Sequence, residues 1–130
     1  MGEDERTVAV DRERKSVSAE TTLAQDTDDT EALLELVSRL SQRVADDLQR
    51  RQMRGRTVKL KLRLADFTTF TRQKTLTEPV ISPEEIAQAA TALIRGELRP
   101  GRLFRLVGVG VSGFDHEDQE VQQPRLTGFE

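Results

Sequence analysis

Lys59, Lys61 and Arg63 alternate with Val58, Leu60, Leu62 and Leu64, one cation to one apolar residue. Ammonium and guanidinium groups at this spacing do not make or break bonds. They neutralise anions, and phosphate is an anion that both bind well. The row lies within residues 54–74, RGRTVKLKLRLADFTTFTRQK, which hold seven bases (Arg54, Arg56, Lys59, Lys61, Arg63, Arg72, Lys74) and one acid, Asp66. A period of two predicts a β-strand with one buried face, so the cations stand on the other. A cationic sheet face in a chain of net charge −3 points to a polyanionic partner, nucleic acid first. Exposed Lys and Arg also keep a strand soluble or blunt its edge. The recurrence of Arg99, Arg102 and Arg105 around a second predicted strand weighs toward the polyanion.

Other chemistry-bearing residues carry less. Asp26, Asp28 and Asp29 could hold a divalent cation, but they precede a helical pattern, where capping accounts for them more simply. His116 sits in DHED within an acidic stretch and is expected to be solvated. With one His and no Cys, no nucleophile-and-base spacing stands out, and no catalytic residue is assigned. Gly108 and Gly110 in VGVGV lack the third glycine and the following helix of a dinucleotide loop. They suit a close backbone approach or a strand bulge instead.

Charge is unevenly distributed. Residues 1–31 hold ten acids against four bases, residues 115–130 five against one, and residues 32–114 fifteen bases against eight acids. A basic body is thus flanked by acidic ends. The length of 130 residues fits one domain with tails. Leu, Val, Ala and Ile can fill a small core but not enclose a deep catalytic cleft. The absence of Cys excludes disulfides, zinc fingers and thiol chemistry, and fits a reducing cytoplasm. No apolar run approaches the roughly 20 residues needed to span a bilayer, and no signal peptide is visible, so no membrane partner is expected.

The elements that must position the cations follow from pattern. Residues 1–14 read as an arm or linker and 15–24 as a first strand. A helix over 29–53 carries the stripe Leu33, Leu36, Val37, Leu40, Val44 and Leu48, with a capping-box start at Asp28 and Glu31 and a stop at Gly55. The alternating strand covers 56–65, a turn or bulge Ala65–Phe67, and a further strand 68–76, broken at Glu78-Pro79. Phe70, Arg72 and Lys74 share a parity there, which leaves the facing of that strand open. Ser82-Pro83-Glu84-Glu85 starts a second helix with the buried stripe Ile86, Ala89, Ala90, Leu93 and Ile94. Gly96 or Pro100-Gly101 ends it. The apolar segment 102–112 predicts a central last strand. The order βαββαβ predicts an α+β split βαββαβ sandwich, a four-stranded antiparallel sheet with two helices on one face. The opposite face, left free, carries the bases.

Three segments, in order, carry a family resemblance: RKSVSAETT (14–22), RGRTVKLKLRLADFTTFTRQKTL (54–76) and RLFRLVGVGVSGF (102–114). Together they resemble the C-terminal little finger domain of Y-family translesion DNA polymerases, nearest the bacterial polymerase IV group. The resemblance covers about residues 12–114. It departs at Ser18-Ala19, where the family pattern has Val-Gly. It implies a βαββαβ fold and a non-catalytic DNA-binding role: gripping primer-template duplex through phosphates, with the sheet toward the major groove. Residues 15–114 would be that domain, and 1–14 a link to a thumb domain. Polymerase chemistry would belong to a catalytic palm whose carboxylates hold Mg2+, so no cofactor and no enzymatic activity are expected of this chain alone. A monomer is expected.

Carried over residue by residue, the resemblance implies DNA contacts from Lys15 at the thumb junction and from Thr57, Lys59, Lys61 and Arg63 on the second strand. Thr69, Thr71, Arg72 and Lys74 would act on the third and Arg105 on the last. Residues 115–130 would be an acidic flexible tail. There Gln123, Leu126 and Phe129 are similar to the short peptide by which bacterial polymerases bind the sliding clamp, two apolar anchors seeking a groove. The competing reading is a protein-interaction module whose basic face docks an acidic partner. A small hydrolase on the same scaffold would need an acid–base pair in a pocket, and none is evident.

Overall fold

The computed structural model of the chain describes residues 16–114. Six elements follow in the expected order: β1 (Ser16–Thr27), α1 (Thr30–Arg51), β2 (Gly55–Leu64), β3 (Thr69–Val80), α2 (Pro83–Arg95) and β4 (Phe104–Phe114). Both helices cover one face of a single sheet ordered β1-β4-β2-β3, with every neighbouring pair antiparallel. The last strand is indeed central, and β3 is an open edge.

The helices begin where side chains replace missing backbone acceptors. Asp29, one residue later than the sequence pattern suggested, caps α1: its carboxylate accepts from the amides of Glu31 (3.0 Å) and Ala32 (3.3 Å). Asp28 instead accepts from the Gly101 amide at 3.3 Å. Ser82 accepts from the Glu85 amide at 3.2 Å, and Pro83 occupies the first turn of α2, where its missing N–H costs nothing. Gly96 caps the end of α2. The end of α1 differs from expectation. Gln52 takes the left-handed conformation (φ 56°), and Gly55 is already a strand residue. Gly55 is needed for space, since a Cβ there would stand 2.5 Å from the Ser112 carbonyl oxygen and from Val111 Cγ1.

Between the layers, Val58, Leu60 and Leu62 from β2 and Val107, Val109 and Val111 from β4 meet Leu33, Val37, Leu40, Val44 and Leu48 of α1 and Ile86, Ala90 and Ile94 of α2. Leu64 is half-buried at its edge. Among the described residues one polar side chain, Ser41, is fully enclosed; its hydroxyl donates to the Val37 carbonyl at 2.8 Å. β3 does not stop at Glu78-Pro79 but runs on to Val80, because an edge strand can lose the proline's donor toward solvent. The pairing slips there, Gly55 facing Val80 while Thr57 faces Thr75.

Candidate nucleic-acid interface

Strand register assigns each sheet residue to a face. Side chains alternate, so the partners of core residues lie on the helix side and those between them on the open side. Four cross-strand rows result on the open face: Ser16–Ser112–Thr57–Thr75, Ser18–Gly110–Lys59–Gln73, Glu20–Gly108–Lys61–Thr71 and Thr22–Leu106–Arg63–Thr69. Thr57, Lys59, Lys61, Arg63, Thr69 and Thr71 therefore come together on one surface.

The surface is held by its own polar contacts. Arg63 Nε donates to Thr69 Oγ1 at 2.9 Å, which directs the guanidinium along the row. Thr57 and Thr75 share a hydroxyl hydrogen bond at 3.3 Å. Lys61 Nζ lies 3.3 Å from Glu20 Oε1. Lys59 has no ion-pair partner among the described residues. Beside these cations β4 contributes Gly108 and Gly110. A Cβ on either would stand 3.1 Å from the Cβ of Glu20 or Ser18. Their bareness leaves a shallow trough of about 230 Å³ bordered by Ser18, Glu20, Lys59 and Lys61. The sequence suggested a close backbone approach for these glycines, and the tightness to β1 is that approach. The arrangement can bind a linear anion: cations stand on one bank and nothing projects from the floor.

Arg72 and Lys74 lie elsewhere. Their Cα partners are Leu60 and Val58, so they are on the helix side of β3. An edge strand allows it, because long cationic side chains reach past the helices to water. Arg72 Nε donates to Glu97 Oε2 at 2.9 Å and its guanidinium lies 4.6 Å from the Phe70 ring centre. Arg102 joins the same cluster at 3.3 Å from Glu97 Oε1. The cluster ties β3 to the segment after α2. Lys74 borders a larger cleft, about 430 Å³, between β3 and α2. Phe70 shares their parity and packs against the core, so an aromatic residue on this strand reports its facing where the charges do not.

Arg105 is the extra residue of a bulge, since Arg63 faces Leu106 while Leu64 faces Phe104. Its guanidinium lies 3.3 Å from Asp26 Oδ2 and 4.5 Å from the centre of the Phe67 ring. Asp26, Asp28 and Asp29 thus each have a structural task, and among the described residues no group of three or more His, Cys, Asp or Glu could hold a metal ion. Glu20 is the residue that sequence reasoning missed. Its parity in β1 placed it opposite Val17 and Ala19, but its nearness to Lys61 depends on β4 lying between two strands far apart in sequence. Asp66 closes the β2–β3 turn by accepting from the Thr68 amide at 2.9 Å. That bond first, and the Thr68 hydroxyl next, hold its carboxyl below the ordinary carboxylate value. Lys15, His116, Gln123, Leu126 and Phe129 lie outside the described residues. No described helix is long and apolar enough to cross a membrane.

Comparison with known proteins accords with this fold. Residues 14–126 match the impB/mucB/samB family C-terminal domain. The chain is 41% identical to DNA polymerase IV of Dehalococcoides mccartyi (strain CBDB1) over 94% of its own length and 32% of that protein's. It is 44% identical to DNA polymerase IV of Alkalilimnicola ehrlichii over 86% of this chain and 31% of that one. It therefore spans about a third of the length of these curated relatives. Among solved structures, the complex of the beta-clamp processivity factor with the little finger domain of PolIV matches with a TM-score of 0.64, 23% identity, 85% of this chain and 92% of that one. A Y-family DNA polymerase chimera matches with a TM-score of 0.69, 18% identity, 78% of this chain and 29% of that one. The chain belongs to the impB/mucB/samB C-terminal domain family and has the little-finger fold of Y-family DNA polymerases.

Proposed function

We propose that this domain is a non-catalytic DNA-binding part of an error-prone translesion polymerase, and that it grips primer-template duplex through phosphates on the open sheet face. The observation that carries the reading is the trough itself: Lys59 and Lys61 in register with the bare Gly110 and Gly108, with Arg63 next on the same strand face beside Leu106. A phosphate backbone needs cations at regular spacing and a floor without side chains, and base edges need not be read. The fold neighbours include an insertion ternary complex of Dbh DNA polymerase, which supports the same use of the fold. Nucleotide transfer would reside in other domains, so the isolated chain is expected not to extend a primer. The test is fluorescence anisotropy with primer-template duplex over a salt series. Contact with roughly five phosphates gives a log–log slope of about −4 to −5, independent of sequence. A flat salt response, or strong preference for one sequence, overturns the reading.

A protein partner is a second reading, favoured by the solved pairing of a PolIV little finger with a clamp. The segment with Gln123, Leu126 and Phe129 supplies the anchors for it. A peptide of residues 119–130 should bind a bacterial clamp, and its Leu126→Ala, Phe129→Ala version should not. Equal binding by both, or by neither, removes this partner. A basic face that docks an acidic protein instead of DNA would leave that partner in place when duplex is added.

A further inference from the structure

Phe67 is the most exposed large apolar side chain among the described residues, 63% accessible at the tip of the β2–β3 hairpin. Its backbone lies at φ 71°, in the left-handed region that asparagine or glycine enters far more easily. The turn is closed without help from the ring: the Phe67 amide donates to the Leu64 carbonyl at 2.9 Å, and Asp66 accepts from the Thr68 amide. The side chain therefore neither builds the turn nor fills the core. It is held on one side by the Arg105 guanidinium, 4.5 Å from the ring centre, and Arg105 is fixed in turn by Asp26 at 3.3 Å. A flat apolar ring, braced from behind and left open in front, is shaped to receive another flat group.

Its surroundings select the class of that group. The Phe67 carbonyl accepts from Thr69 Oγ1 at 3.4 Å, and Thr69 Oγ1 accepts from Arg63 Nε at 2.9 Å. The backbone that carries the ring is thus one hydrogen-bonded step beyond the end of the cationic row. A strand whose phosphates lie along Lys59, Lys61 and Arg63 would bring its next nucleotide to Phe67. Bases inside duplex are already stacked on their neighbours and offer no free face. An unpaired base does, and an aromatic ring backed by arginine is a sequence-tolerant platform for one. We propose that Phe67, braced by Arg105, stacks an unpaired nucleobase of single-stranded DNA where it continues from the duplex on the sheet face. The inference rests on the DNA-binding reading above and adds the single strand as ligand.

The experiment compares blunt duplex with duplex bearing a single-stranded template overhang, with 2-aminopurine placed at successive overhang positions near the junction. The full chain is expected to bind the overhang DNA about tenfold more tightly than the blunt DNA. It should also change the 2-aminopurine emission at one position. Phe67→Leu keeps an apolar side chain but removes the stacking face. It should lose the overhang preference and the emission change while binding blunt duplex as before, and Phe67→Trp should retain both signals. An overhang preference that survives in Phe67→Leu, or none in the parent chain, overturns the platform and leaves the duplex reading standing. Conversely, a Phe67-dependent emission change with no affinity for blunt duplex would uphold the platform and overturn the sheet-face grip. A Phe67→Leu chain with altered thermal unfolding is replaced by the Phe67→Trp comparison, in which loss of both signals counts against stacking.

Discussion

Lys61 and Glu20 meet across the central strand, Nζ 3.3 Å from Oε1, over a residue that has no side chain. Gly108 separates them in the row, and any Cβ there would crowd Glu20, at 3.1 Å from its Cβ, while only touching Lys61 Cβ at 3.5 Å. Both side chains are about half exposed, 50% for Glu20 and 42% for Lys61, so the pair adds under about 1 kcal/mol to stability. Its larger effect is on ligands, since the carboxylate competes with phosphate for the same ammonium.

Removing that competitor should strengthen binding. Glu20→Gln is expected to raise duplex affinity about three- to tenfold and to steepen the log–log salt slope by about one unit, one more cation being available to release counterions. Anisotropy over a salt series reads both quantities. Unchanged values would mean that Lys61 does not face phosphate.

The opposite change tests the row as a whole. Lys59→Ala, Lys61→Ala and Arg63→Ala together should weaken duplex binding and flatten the slope by roughly two units, Lys61 being already engaged by Glu20. Stability should shift by no more than about 0.5 kcal/mol per site, because these half-buried side chains lie on the open face and leave the core packing intact. Denaturant unfolding beside the binding titration separates the two.

Arg72 should behave in the reverse way. Its partner Glu97 is largely buried, with 13% of the side chain accessible, while Arg72 itself is 47% accessible. Screening at the open side keeps the cost of Arg72→Ala to about 1 kcal/mol, Arg102 still holding the carboxylate. The salt slope of DNA binding should not move, and a slope flattened by one unit would return Arg72 to the interface.

Two internal substitutions probe the layer beneath. Leu62→Ala leaves a cavity in the core between sheet and helices and should cost about 2–5 kcal/mol. Gly55→Ala forces a methyl into the Ser112 carbonyl, 2.5 Å away, and should cost about 1–3 kcal/mol through displaced backbone. Thermal or urea unfolding measures each. A neutral Gly55→Ala would mean that β2 and β4 part there without strain.

Asp66 supplies a pH dependence. Its carboxyl titrates below the ordinary value of 3.8 because the ionised form accepts the Thr68 amide. A depressed folded value stabilises the hairpin tip at neutral pH, and that contribution disappears as pH falls below about 4 through the folded value. The Thr68 amide resonance should follow this step with a midpoint below 3.8 and lose it in Asp66→Asn. A midpoint at or above the ordinary value would contradict the hydrogen bond.

Much of this was legible from pattern. Alternation in β2 named both its buried and its cationic residues, because a strand with one wet face writes its facing directly into the sequence. The start of α2 was legible for a similarly local reason, Ser82 and Pro83 fitting only a first turn. β3 resisted. As an edge strand it can point Arg72 and Lys74 past the helices, so charge does not report its face. Glu20, Arg105 and Phe67 resisted more fully, since their partners lie 41, 79 and 38 positions away in the chain, and only the sheet order brings them together.

The place of β4 also constrains how the chain acquires its shape. β1 and β2 each pair with β4 and not with each other. During synthesis the first strand, the long helix and the β2–β3 hairpin all emerge before the strand that joins them. The hairpin can form as it appears, but β1 must wait for a partner up to 96 residues later, Ser16 meeting Ser112. Such late, distant pairing makes folding slow and leaves an apolar sheet edge uncovered in the meantime. A chain stopped short of Phe104 would hold both helices, β1 and the hairpin, with no strand to join β1 to β2.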